Sequence, residues 1–168
     1  MAKRIVSITT LTPTATADTT NLVDATYPFL LQGGSSTQRL NVLEIYMGGQ
    51  AGASAPTYMI LSRDSTVAAT NTYGTGQMDA AMDPATAALA APPLTGNSNT
   101  TKPQRSSTLH LLNLSFNAFG GIVKWNPGTP DQAPSVLGNT ASLGEVSLSA
   151  FTGGTPGVMG AHMIYEAL

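Results

Sequence analysis

The chain has 168 residues, only 10% of them charged, with a formal net charge of -2 and no cysteine. That length fits one domain spanning 1–168 whose core is large enough to stand without disulfides or metal, and the missing cysteine excludes disulfide frameworks, Cys-ligated zinc, iron–sulfur sites and thiol nucleophiles together. A weakly acidic balance supplies no basic stripe for gripping nucleic acid, and nowhere does an apolar run approach the 18 or more residues of a membrane helix.

In chain order, Met1 to Ile8 carry the cations Lys3 and Arg4 and then alternate apolar with hydroxyl residues. This is a strand pattern, unlike the continuous apolar run of a signal peptide, so a soluble protein made in the cytoplasm is expected. Runs of β-branched, aromatic and aliphatic residues bounded by Gly, Pro, Asn or Ser recur along the chain and predict eight or nine strands. They fall at Arg4 to Leu11, Tyr27 to Gln32, Arg39 to Met47, Thr57 to Arg63, Thr108 to Ala118, Gly121 to Trp125, Ser135 to Leu137, Glu145 to Phe151 and Val158 to Tyr165. In the eighth, Val146, Leu148 and Ala150 share one side of the pleat, predicted to be core, while Glu145, Ser147 and Ser149 share the other, predicted to be wet. The third and fifth carry apolar residues at both parities, Leu40 and Val42 against Leu43 and Ile45, and Leu109 and Leu111 against Leu112, Leu114 and Phe116. Strict alternation makes them apolar on both faces, an excess that a homo-oligomer, a dimer or trimer, would cover.

The segment 65–107 breaks the rhythm with Gly74, Gly76, Pro84, Pro92, Pro93, Gly96 and Pro103. It reads as a long loop insertion holding a short helix, with Asp83 as N-cap and Pro84 at the first helical position. Turn chemistry at Gly33 to Ser36, Asn117 to Gly121, Asn126 to Gly128 and Gly153 to Gly157 predicts hairpins. The connections are too short for helical crossovers outside 65–107. An all-β, antiparallel β-sandwich of jelly-roll type is therefore expected.

Chemistry-bearing patterns are sparse. No nucleophile elbow, Walker A, dinucleotide fingerprint, zincin or EF-hand motif can be read, and no enzyme, cofactor or metal is expected. His162, Ile164 and Glu166 share a strand face, but a third ligand is missing, so His162 and Glu166 read as ordinary polar residues facing water. His110, between Leu109 and Leu111, reads as a half-buried histidine. The aromatics, Trp125 among them, read as core. The close-set cations Lys3, Arg4, Lys102 and Arg105, with Tyr73 in the Tyr73-Gly74-Thr75-Gly76 turn, are the candidates for touching a partner, at the N-terminal arm and in the long insertion.

The stretches Phe119-Gly120-Gly121-Ile122-Val123-Lys124-Trp125, Gly144-Glu145-Val146-Ser147-Leu148-Ser149, Gly154-Thr155-Pro156-Gly157 and His162-Met163-Ile164-Tyr165-Glu166 resemble small tailed-phage virion proteins. The style is similar to bacteriophage capsid decoration, or cement, proteins with a jelly-roll sandwich. That resemblance implies a structural protein on the capsid surface of the virion, made in the host cytoplasm. It would contact the major capsid protein and itself, bridge neighbouring capsomers, and bind no nucleic acid or membrane. Low charge and abundant short side chains suit wide interfaces with little rotamer entropy to lose. The alternative from another class is a tail or fibre-associated receptor- or carbohydrate-binding β-sandwich module, which needs exposed aromatics and polar side chains gathered at one end.

Overall fold

The structure, a computed structural model, describes residues 4–9, 29–66, 80–81, 93–96, 104–138, 144–152 and 157–168. All nine expected strands are present among them: β1 Arg4–Thr9, β2 Phe29–Gln32, β3 Arg39–Gln50, β4 Pro56–Thr66, β7 Gln104–Asn117, β8 Phe119–Trp125, β9 Ser135–Leu137, β10 Val146–Thr152 and β11 Met159–Ala167. Two short strands, β5 Ala80–Ala81 and β6 Leu94–Gly96, lie within the long insertion. The expected helix at Asp83 lies outside the described residues.

The strands form two antiparallel sheets, ordered β5-β1-β11-β3-β8 with β9 also beside β3, and β6-β2-β10-β4-β7. Counting only the eight principal strands from the N-terminus, the sheets run 1-8-3-6 and 2-7-4-5, which is the strand order of a jelly roll, a long antiparallel hairpin rolled onto itself. The four turn signals therefore join strands in different sheets or, between β8 and β9, two segments flanking the same strand. None of them closes a hairpin, because turn chemistry reverses the chain without choosing which strand lies beside it. Among the principal strands, the sequence neighbours that do pair are β4 and β7, joined by the long insertion. Its two short strands return to the far side, β5 pairing β1 and β6 pairing β2.

The core fills the space between the sheets. One sheet contributes Val6, Ile8, Leu40, Val42, Ile45, Met47, Met163 and Tyr165, the other Leu31, Met59, Leu61, Val146, Leu148 and Ala150. Two β-bulges correct the expectation of two-faced apolar strands. Ile164 pairs with Glu44 and Tyr165 with Val42, leaving Leu43 as an extra residue in β3. Beyond it the alternation changes phase, so Leu40, Val42, Ile45 and Met47 all face the same core. Likewise Leu61 pairs with Leu112 and Ser62 with His110, so Leu111 is the extra residue of β7, and it packs on the core beside Leu112, Leu114 and Phe116.

Three further expectations are corrected. Glu166 is buried rather than facing water, and Glu145, Ser147 and Ser149 are buried rather than wet. Strand β10, which Glu145 directly precedes, lies inside its sheet between β2 and β4, and the buried Ser147 hydroxyl donates to Asp64 Oδ1 at 2.7 Å, pairing these two atoms out of water. His110 is exposed, because β7 is an edge strand and the bulge turns this residue to the outer face.

Candidate functional site

With the phase of β3 set by its bulge, Glu44, Tyr46 and Gly48 point away from the core. The register aligns Tyr46 with His162 of β11 and Lys124 of β8, and Gly48 with Gly160 and Ile122. Two rows thus cross three strands on the outer face of this sheet, one with side chains and one floored by glycine. The second row is a shallow trough of about 340 Å³, walled by Tyr46 and His162 on one side, by Gln50 and Val158 on the other, and bounded by Ile122 at the sheet edge.

The wall is tied together. The Tyr46 hydroxyl donates to Glu44 Oε2, and the Lys124 ammonium lies 3.3 Å from the same oxygen and 4.9 Å from the centre of the Tyr46 ring. The His162 and Tyr46 rings lie 6.0 Å apart at 58°. The Tyr46 hydrogen bond, then Lys124, hold the Glu44 carboxyl below its ordinary pKa, while Tyr46 and then Glu44 raise that of Lys124. With Glu44 and Lys124 offsetting each other, the trough is an uncharged, mostly apolar recess. Among the described residues no three His, Asp or Glu side chains gather as a metal site.

Three turns meet at the same end of the sandwich. Asn117 Oδ1 accepts from the Ala55 and Phe119 amides, each at 3.0 Å, and its Nδ2 donates to Ser54 Oγ at 2.9 Å. The Ala118 amide donates to Ala55 O, the Ala51 amide to Ala118 O, and the Gln50 amide to Val158 O. Beside this stitched end Tyr58 and Phe151, paired across β4 and β10, are 61% and 36% exposed, and Phe119 is 58% exposed.

A scan of family models, a search of curated proteins and a search of solved structures find no match.

Of the residues expected to touch a partner, Lys3, Tyr73 and Lys102 lie outside the described residues. Arg4 sits inside β1 opposite Ala167 rather than in a free arm, and Arg105 sits in β7 opposite the buried Asp64. The structure does not bring these two together. The expectation that the aromatics are core holds for Tyr165, which is fully buried, and fails for Tyr58, Phe119 and Phe151, which lie on outer faces or at the turn end. Sequence reasoning does not reach the trough residues, because their period-two signal, Glu44-x-Tyr46-x-Gly48 and Ile122-x-Lys124, becomes readable only once Ile45, Met47, Val123 and Trp125 are assigned inward.

Proposed function

We propose that this chain is a structural virion protein, a capsid decoration or cement protein that binds the outside of a phage head and stabilises contacts between capsomers. The observation that supports this reading, beside the resemblance of the C-terminal stretches, is the aromatic end: Tyr58, Phe151 and Phe119 stand exposed beside turns that are hydrogen-bonded to one another, a surface that the receptor-binding alternative would use as well. Large apolar side chains held in water on a rigid support are the usual mark of a protein-docking surface. The jelly roll is shared by capsid proteins and lectins, so the fold supports the reading without selecting it.

The test is co-sedimentation of the purified chain with undecorated heads of the phage that encodes it. The wild-type chain is expected to pellet with heads, and the double variant Tyr58→Ser, Phe151→Ser to remain in the supernatant with its fold intact. A wild-type chain that stays in the supernatant overturns the proposal. If that chain instead binds host-surface polysaccharide and loses it in the same variant, the receptor-binding reading takes its place.

A further inference from the structure

We propose that a second copy of this chain covers the outer face of the β11-β3-β8 sheet, with Ile122 of each copy seated in the trough over Gly48 and Gly160 of the other. Ile122 is 72% exposed, more than any other large hydrophobic residue among those described. It stands next to the trough, since Gly48 and Ile122 are register partners. A protruding side chain and a recess of about 340 Å³ lying side by side form a self-complementary pair. A two-fold axis between β3 and β8 sets each protrusion over the other copy's recess, as an isologous contact requires.

The surroundings favour the same occupant. Glu44 and Lys124 form an ion pair within one copy, so bringing the face against itself juxtaposes no uncompensated charge. Gly48 is not demanded by local packing, because a methyl group there would meet only Gly121 O at 3.5 Å and Ile122 Cγ1 at 3.9 Å. Gly48 borders a register irregularity between β3 and β8, and with no side chain there the floor stays open to a close approach from outside the sheet. This contact is independent of head binding: Tyr58 and Phe151 lie on the opposite sheet, so a dimer presents two aromatic surfaces, and two weak attachments reinforce each other.

The experiment is analytical ultracentrifugation of the full chain at micromolar concentration. The wild-type chain is expected to sediment as a species of two chains. Ile122→Asp and Gly48→Leu are each expected to weaken the dimer by about tenfold or more, with an unchanged circular-dichroism spectrum. The chain has no cysteine, so a mixture of the Ile122→Cys and Gly48→Cys variants gives a second readout that leaves the fold nearly untouched. Oxidation is expected to cross-link position 48 of one chain to position 122 of the other more readily than it links either variant to itself. A monomeric wild-type chain, a dimer insensitive to both variants, or no preference for the mixed cross-link overturns the proposal. A monomer whose Ile122→Asp variant no longer pellets with heads assigns this face to the shell, overturning the second copy while the decoration reading stands.

Discussion

Tyr46 is held on three sides, by Glu44 at its hydroxyl, Lys124 over its ring and His162 beside it. The hydroxyl is the largest cause of the lowered Glu44 pKa, so Tyr46→Phe is expected to move that pKa back toward 4.5, read by carboxyl-carbon NMR titration. The sign for stability follows. A carboxyl with a depressed folded-state pKa stabilises above its unfolded value and loses that contribution as pH falls through the folded value, so the variant should show a flatter acid limb below about pH 4.5. The effect is small because Glu44 and Lys124 both reach solvent. Asn117 matters more to folding, since one side chain joins two turns through three hydrogen bonds. Asn117→Ala is expected to cost about 1–3 kcal/mol in a urea denaturation series.

The bulge in β3 gives an element-level test. Deleting Leu43 leaves Leu40, Val42 and Ile45 at regular alternate positions, so the strand should re-form without its bulge at a cost below about 2 kcal/mol. Deleting Tyr46 instead throws Ile45 or Met47 out of phase, and exposing one such side chain costs about 1.5–3 kcal/mol before any register strain. Thermal melts of the two deletion variants should differ accordingly. The same element shows what the sequence could carry. Alternation places the core side of β10 and β11 correctly, because both keep one phase throughout their length. It fails at β3 and β7, where a single extra residue reverses inside and outside and nothing in Val42-Leu43-Glu44 or His110-Leu111-Leu112 announces it. Ser147 and Ser149 defeat it for another reason: a short hydroxyl is equally at home in water or hydrogen-bonded out of it, and the tertiary partner decides, as Asp64 does for Ser147. The trough inherits the error at β3, since its residues face outward only in the shifted phase.

At the scale of the whole molecule, scarcity of charge leaves two accounts of attachment that salt separates. If the cations expected to touch a partner, Lys3, Arg4, Lys102 and Arg105, dominate head binding, affinity depends on charges acting through water and falls as salt shortens the screening length from about 10 Å at 0.1 M to about 3 Å at 1 M. If the aromatic end dominates, the contact is made by Tyr58, Phe151 and Phe119 on a chain of net charge -2, and screening removes little. Apolar burial is insensitive to moderate chloride and is strengthened by excluded salts such as sulfate. The expected outcome is therefore a bound fraction that is nearly constant between about 0.05 and 0.5 M sodium chloride and rises in sulfate, measured by co-sedimentation with heads. A steep loss across that chloride range would move the contact from the turn end to the cations. The backbone positions of Arg4 in β1 and Arg105 in β7 would then define where the shell sits, at the start of the strand next to the short edge strand β5 in one sheet and at the start of the other sheet's edge strand.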